Sequence, residues 1–190
     1  MIALKIEISA RHVHLTRQDL DALFGDGYDL KKEKTLSQAS DFAAEETISI
    51  EGAKGRMDNV RIVGPCRSYS QVELSATDCY KLGINAPVRL SGKIIGSASI
   101  KIIGPKGELQ LKDGAIIAKR HIHMNPEDSA KLGVKNGQNV KLAIDGPRAL
   151  IFDNVEVRVH ESFNLAAHLD TDEANAAGIK SSNATGNIVV

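Results

Sequence analysis

Short segments in which apolar and polar residues alternate with a period of two recur along most of the chain. The clearest are residues 47–50, 60–63, 88–90, 99–102, 109–111, 140–142 and 155–159. Because successive side chains of a β-strand point to opposite faces, this alternation is typical of strands with one buried face. Glycine, proline and aspartate mark turns between the segments. No segment has the length of the crossover helix of a doubly wound α/β sheet, so the pattern predicts a mainly β protein.

An internal repeat organises these segments. The Arg-His-Val-His motif at 11–14 returns as Arg-His-Ile-His at 120–123, which is 109 positions later. The Asp-Asn-Val motif at 58–60 returns at 153–155, which is 95 positions later. The first half therefore contains about 14 additional residues between its motifs, and we place most of them in the polar stretch 28–46.

Short helices are predicted after the first motif of each half. Thr16 and Asn125 have the side chains of helix N-caps, and each has an aspartate three residues further on. Gly25 and Gly133 then mark the ends of these helices. A second short capped helix is predicted near the end of each half.

The repeat predicts a fold of two related small β-barrel domains, or sandwiches, with short capped helices. We expect the first domain to span residues 1–100 and the second to span 101–190, with the boundary between Ser97 and Gly114. Halves that are related in this way can exchange strands, so the limits of the two domains in the sequence are left open to such an exchange.

The repeated His-X-His motifs indicate metal sites. On a strand, residues i and i+2 point to the same side, so His12 with His14, and His121 with His123, each form a ready pair of imidazole ligands. Imidazole suits zinc, copper, iron and nickel. A single pair of this kind is explained equally well as two polar residues at the end of a strand, but the repetition favours metal binding.

A third ligand for each site follows from the second offset, which carries Glu73 onto His168. Each residue alone would be assigned as an ordinary polar surface position. Their equivalence under a repeat found from other residues favours two sets of three ligands, the number that a catalytic zinc uses when one position stays open.

Composition excludes several classes of function. Lysine plus arginine and aspartate plus glutamate both number 24, and tryptophan is absent, so a nucleic-acid partner is not expected. Neither a Walker loop nor a Gly-X-Gly-X-X-Gly loop is present. Residues 1–8 alternate like a strand rather than forming the apolar run of a signal peptide, so we expect a cytoplasmic protein without a membrane segment.

Arg67 breaks the symmetry of the repeat, because the equivalent position is Ser162. A guanidinium matches carboxylate or phosphate with two parallel hydrogen bonds, so Arg67 is a candidate for holding an anion in one half only. A loop arginine that caps carbonyl groups is the alternative. Cys66 next to it is a weaker candidate for a nucleophile, since the sequence indicates no general base for it.

The motifs together resemble a known family. Residues 9–15, 64–73, 120–124 and 168–176, in this order, are similar to the PduL-type phosphate propanoyltransferases, also called phosphotransacylases. The resemblance implies interconversion of acyl-CoA plus phosphate with acyl phosphate plus coenzyme A, with propanoyl or acetyl as the acyl group. It also implies two β-barrel domains, two Zn²⁺ per chain in one dinuclear site and a homodimer.

Carried over by position, the resemblance places the first zinc on His12, His14 and Glu73 and the second zinc on His121, His123 and His168. The family's phosphate-binding arginine falls on Arg67. Four positions resemble the family's coenzyme A contacts, namely Ser9, Lys34, Arg61 and Asn175. Members that enter bacterial microcompartments often have an N-terminal amphipathic extension, which is not seen before the first strand here.

The predicted mechanism is direct attack of phosphate on the thioester carbonyl, with Arg67 and the second zinc orienting the phosphate and the first zinc accepting the thiolate. Two alternatives stay open at this point. A dinuclear zinc hydrolase acting on thioesters would use the same ligands to activate water. A structural zinc module is less favoured, because such sites usually have four protein ligands, often cysteines.

Overall fold

The computed structural model describes residues 3–38, 40–180 and 184–189. These residues form fourteen strands and four short helices, which confirms the mainly β fold class. They divide into two units, one of Ala10–Ala118 and one that joins the residues up to Ser9 to those from Lys119 onward. No helix among the described residues has the length and apolar character that crossing a membrane requires.

The unit of residues 10–118 contains a closed six-stranded barrel in the order β4-β5-β2-β6-β9-β8, in which β8 pairs back with β4. Strand β3 extends the sheet beside β4, and β7 extends it beside β9. The elements are β2 (His12–His14), α1 (Arg17–Phe24), β3 (Lys32–Thr35), β4 (Phe42–Glu51), β5 (Arg56–Gly64), β6 (Gln71–Leu74), α2 (Ala76–Leu82), β7 (Val88–Arg89), β8 (Ala98–Ile103) and β9 (Glu108–Ala118).

The other unit is a closed six-stranded barrel in the order β1-β13-β10-β12-β11-β14, in which β14 pairs with β1. Its elements are β1 (Ala3–Ser9), β10 (His121–Met124), α3 (Pro126–Leu132), β11 (Asn139–Ile144), β12 (Leu150–Val159), β13 (Ala166–Asp170), α4 (Thr171–Ala176) and β14 (Thr185–Val189). The structure thus contains two barrels, as the repeat predicts.

The division along the chain differs from the expected 1–100 and 101–190. The boundary lies between Ala118 and Lys119, because β9 belongs to the first barrel and pairs there with β6 and β8. Strand β1 crosses to the second barrel, where Leu4 and Ile6 are buried in its hydrophobic core. The exchange of strands that the sequence left open therefore involves the first strand.

The repeat reappears in the strand pairing. Strand β2 runs parallel to β5 and antiparallel to β6, and β10 runs parallel to β12 and antiparallel to β13. The middle residue of each His-X-His motif, Val13 or Ile122, is fully buried in the core of its own barrel. The two histidines of each motif therefore point to the opposite face.

The Asp-Asn-Val motifs mark a β-bulge in each barrel. In β12 the register shifts between Phe152 and Val155, so that two residues oppose one residue of β11. A matching shift occurs in β5. At both places the asparagine, Asn59 or Asn154, has a positive φ of 58° or 55°, a conformation that asparagine tolerates better than most residues.

The helices begin at polar caps. Thr16 and Asn125 accept backbone hydrogen bonds at 3.0 and 2.8 Å, as predicted, and the helices end at Gly25 and Gly133. The helices after the third-ligand strands, α2 and α4, begin with capping boxes, in which the cap side chain and the third residue of the helix exchange hydrogen bonds. Each cap thus fixes where a ligand strand ends.

We predict that Asn154→Ala lowers the free energy of unfolding by about 1 to 2 kcal/mol, because alanine is strained at positive φ. Asn154→Gly should cost much less, since glycine adopts this conformation readily. The Asn154 side chain is exposed, so neither change removes a packed group. Urea unfolding of the two variants and the parent protein checks this, and equal losses in both variants would contradict it.

Candidate metal centres

The first candidate metal centre lies on neighbouring strands of the barrel formed by residues 10–118. His12 and His14 are on β2, and Glu73 is on β6 directly opposite His12. The Nε2 atoms of the two histidines are 3.2 Å apart. His12 Nε2 is 3.7 Å from Glu73 Oε2, and His14 Nε2 is 3.8 Å from Glu73 Oε1. The structure therefore brings together the three residues that the sequence selects.

Backbone carbonyls fix which nitrogen of each imidazole faces the centre. His12 Nδ1 lies 2.8 Å from the carbonyl oxygen of Ala10, and His14 Nδ1 lies 3.0 Å from that of Val63. A carbonyl only accepts, so each Nδ1 carries the hydrogen and each neutral ring presents the lone pair of Nε2. Two lone pairs at this separation repel each other and favour a cation between them.

These distances fit a zinc ion. Zinc binds nitrogen and oxygen at about 2.0 to 2.2 Å, so two ligand atoms of a tetrahedral site lie about 3.3 to 3.6 Å apart. The two histidine nitrogens are 3.2 Å apart, and each has one oxygen of Glu73 at a similar separation, Oε2 at 3.7 Å from His12 and Oε1 at 3.8 Å from His14. Three protein ligands leave a fourth position for water or a substrate atom.

The electrostatics keep His14 in the form that binds a metal. Burial, followed by electrostatic interactions with His12 and with the Arg67 guanidinium, lowers the pKa of His14 well below its ordinary value. A neutral imidazole is the ligand form, because the protonated ring has no lone pair to offer.

The second candidate metal centre is the counterpart of the first in the other barrel. His121 and His123 are on β10, and His168 is on β13 directly opposite His121. One ligand atom from each of the three residues lies within 4.8 Å of the others. His121 Nδ1 donates to the carbonyl oxygen of Lys119 at 2.9 Å, as His12 does to Ala10. His168 Nδ1 lies 3.9 Å from Glu7 Oε2 on β1.

A phenyl ring that the sequence analysis did not select lies beside the second centre. Phe163 stacks on His123 with ring centroids 4.0 Å apart and an interplanar angle of 27°. The offset of 95 gives Ser68 as its counterpart in the sequence of the first half. His160, which lies outside both ligand sets, hydrogen-bonds with Ser162 at 2.7 Å.

An arginine in front of each His-X-His motif ties the ligand strand to a helix. Arg11 donates to Asp78 at 2.7 Å, and Arg120 donates to Glu173 at 2.7 Å. Both acids are the third residues of α2 and α4, which directly follow the strands that carry Glu73 and His168. The ion pair therefore helps to hold two ligand-bearing strands in register, and only the repeat of the arginine signals it in the sequence.

Arg67 lies in the loop between β5 and β6, next to the first centre. Its backbone N–H donates to the carbonyl oxygen of Leu15 at 2.8 Å. Its guanidinium donates to Tyr69 Oη at 3.2 Å, to Ser91 Oγ at 3.3 Å and to Asp41 Oδ2 at 3.0 Å. A guanidinium held in this way presents a fixed positive charge. Asp41 and Ser91 are 26 and 24 positions away from Arg67, and no motif in the sequence marks either of them.

Cys66, beside Arg67, is a poor nucleophile in this position. Burial raises the pKa of the Cys66 thiol, and the nearby charge of Arg17 only partly opposes this shift. A thiol with a raised pKa is mostly protonated near neutral pH, and the thiolate is the reactive form.

The four positions predicted to contact coenzyme A are divided between the two units. Ser9 ends β1 and Asn175 is exposed on α4, both in one unit. Lys34 is exposed on β3, and Arg61 is opposite His12 on β5, both in the other unit. Arg61 donates to the carbonyl oxygen of Ala44 at 2.6 Å and forms an ion pair with Glu33 at 2.7 Å. Contact with coenzyme A stays a prediction for all four.

Comparison with known proteins gives a consistent result. A family model described as phosphate propanoyltransferase matches residues 5–180. The phosphate propanoyltransferase of Lachnoclostridium phytofermentans is 53% identical over 178 residues, which are 93% of this chain and 83% of that protein. That of Thermotoga maritima is 53% identical over 173 residues, 90% of this chain and 82% of that protein. That of Salmonella typhimurium is 47% identical over 183 residues, which are 96% of this chain and 87% of that protein.

We predict that the protein binds about two zinc ions per chain and that His12→Ala and His121→Ala each remove about one of them, because three-ligand sites tolerate ligand loss poorly. His160→Ala is the matched control, since it removes an imidazole outside both ligand sets and should retain both ions. Mass-spectrometric elemental analysis after dialysis measures the metal content. Loss of zinc in the His160 variant, or none in the other two, would contradict the assignment.

Proposed function

The chain belongs to the phosphate propanoyltransferase family, whose members are acyltransferases. We propose that it transfers the acyl group of its substrate between coenzyme A and phosphate, with one zinc ion held in each of its two barrels. Family membership supports the reaction: acyl-CoA and phosphate are converted to acyl phosphate and coenzyme A. The use of zinc, and the way in which the two ions share the work, are our proposals.

One observation carries the proposal. The chain has two sets of three candidate metal ligands, and a fixed guanidinium accompanies the first set, to which hydrogen bonds through Ser91 and Gln71 connect it. The position in the second half that is equivalent to Arg67 is a serine. Two similar open sites that differ in one anion-binding group suit a reaction with two unlike partners, a sulfur leaving group and a phosphate nucleophile.

The bond changes are those of a direct transfer. A phosphate oxygen attacks the thioester carbonyl carbon, the carbon–sulfur bond breaks, and the sulfur leaves as a thiolate. Bound zinc would supply positive charge to both partners, to the thiolate from the ion held by His12, His14 and Glu73, and to phosphate from the ion held by His121, His123 and His168.

Arg67 is the residue to which we assign phosphate binding. Phosphate is a poor nucleophile because it is strongly hydrated and negatively charged, so it must be held close to the carbonyl and partly freed of water. The guanidinium presents donors in a plane that matches two phosphate oxygens. Its ion pair with Asp41 sets its orientation, and phosphate would compete with that carboxylate for the same N–H groups.

We predict that Arg67→Ala lowers kcat/KM for phosphate about 100- to 1,000-fold, the usual effect of removing one donor to a charged transition state. Arg67→Lys should recover only part of this loss, since an ammonium group lacks the planar pair of donors. Arg56→Ala is the matched control, because Arg56 forms an exposed ion pair with Asp58 in the same barrel. Zinc content should be unchanged in all three variants. Normal phosphate kinetics in Arg67→Ala would contradict the assignment.

We predict that thiol release from propanoyl-CoA or acetyl-CoA requires phosphate and yields acyl phosphate in equal amount, because phosphate is the attacking group. Thiol release without phosphate would instead indicate a thioester hydrolase. Rapid quenching with acyl-labelled substrate should find no label on the protein. Label on Cys66 or any other side chain would exclude direct attack.

Formation of a homodimer stays a prediction from the family resemblance. Location in the cytoplasm stays a prediction from the pattern of residues 1–8, with a bacterial microcompartment as the alternative that the resemblance offers. Light scattering of the purified protein tests the first. The second needs the protein to be followed in cells that form such compartments.

A further inference from the structure

A glutamine side chain lies between the first metal centre and Arg67. Gln71 is on β6, directly opposite His14 and two residues before Glu73, so its side chain and that of Glu73 are on the same face of the strand. Its exposed fraction is 0%. A buried side-chain amide is costly unless its polar atoms are hydrogen-bonded, so its partners determine what it does.

The amide of Gln71 has a single orientation. The backbone N–H of Gly92 donates to Gln71 Oε1 at 2.8 Å, and only the oxygen of an amide accepts. The amino group must therefore lie on the other side, where it donates to Glu73 Oε1 at 2.7 Å and to Ser91 Oγ at 3.0 Å. One backbone group thus fixes both donors of the glutamine.

The two donors act on two functional groups. The bond to Glu73 Oε1 fixes the rotation of the carboxylate, with Oε2 at 3.7 Å from His12 Nε2. The bond to Ser91 fixes a hydroxyl oxygen that also accepts from Arg67 Nη1 at 3.3 Å. Gln71 thus connects a metal-ligand candidate to the guanidinium assigned to phosphate.

The second barrel provides an internal comparison. The residue equivalent to Gln71 is Ala166, which lies opposite His123 as Gln71 lies opposite His14. The third ligand there is an imidazole, His168, and its Nδ1 faces the carboxylate of Glu7 rather than a donor. An alanine is therefore sufficient for the barrel to close at this position. The glutamine occurs where the third ligand is a carboxylate that needs a donor.

We propose that Gln71 is a positioning residue that orients both the Glu73 carboxylate toward the metal and, through Ser91, the Arg67 guanidinium toward phosphate. This inference rests on the proposed function, because it assumes zinc at the first centre and phosphate at Arg67. It assigns no chemical step to Gln71 itself, which acts only through the groups that it holds.

Two substitutions separate the two effects. Gln71→Leu has a similar volume but no donors, and we expect zinc to be lost from one site at a chelator concentration about 10- to 100-fold lower than in the parent protein, the usual effect of removing a hydrogen-bond partner of a ligand. The KM for phosphate should rise in the same variant. Ser91→Ala keeps the bond to Glu73, so it should raise the KM for phosphate several-fold and leave zinc release unchanged.

The matched control is Gln110→Leu, because Gln110 also donates to a serine, Ser99, at 2.7 Å in the same barrel but on its exposed side. It should change neither zinc release nor the KM for phosphate. Zinc release during a chelator titration is followed with a metal indicator dye, and melting temperatures of the metal-free proteins report on folding. Parental zinc release and parental KM in folded Gln71→Leu would overturn the inference. So would a fall in zinc affinity in Ser91→Ala equal to that in Gln71→Leu.

Failure of the Gln71 inference can be distinguished from failure of the proposed function. If the parent protein binds no zinc, or releases thiol without phosphate, the proposed function fails and this inference fails with it. If the parent protein behaves as proposed and only the Gln71 variant is unaffected, the inference alone is wrong.

Discussion

The register between antiparallel strands is the constraint on which both candidate centres depend. His12 faces Glu73 across β2 and β6, and His121 faces His168 across β10 and β13. Because side chains alternate along a strand, a slip of one residue would turn the ligands toward the core and the buried Val13 or Ile122 toward the centre. Burial of these apolar residues therefore holds the register, and the arginine ion pairs to α2 and α4 support it.

Much of this arrangement could be predicted from the sequence, because its two repeated halves can be compared with each other. The offset of 95 pairs Glu73 with His168 from the sequence alone, and the structure places both beside their histidine pairs. The Asp-Asn-Val repeat is recognisable in the sequence. Its structural role, a β-bulge with asparagine at positive φ, is seen only in the backbone of the structure. The groups around Arg67 could not be predicted, because Asp41 and Ser91 are distant in sequence and carry no pattern of their own.

The surroundings of the third ligand differ between the two barrels. A carboxylate ligand is accompanied by the donor Gln71 and by Arg67, whereas the imidazole of His168 is accompanied by Glu7 and an aromatic ring, Phe163, stacked on His123. Each difference follows from the hydrogen-bonding character of the ligand, since a carboxylate only accepts and an imidazole with one nitrogen directed at a metal donates from the other. The same fold thus supports two centres with unlike surroundings.

The exchange of β1 has a consequence for synthesis on the ribosome. Strand β1 is translated before the other described strands, but its partners β13 and β14 begin only at Ala166 and Thr185. The barrel of residues 10–118 has all its strands available while the rest is still being translated, whereas the other barrel closes only when the C-terminal strand emerges. A nascent chain translated only as far as Ala118 therefore contains one complete barrel and an unpaired β1, and the second centre can form only after β10 and β13 have been translated.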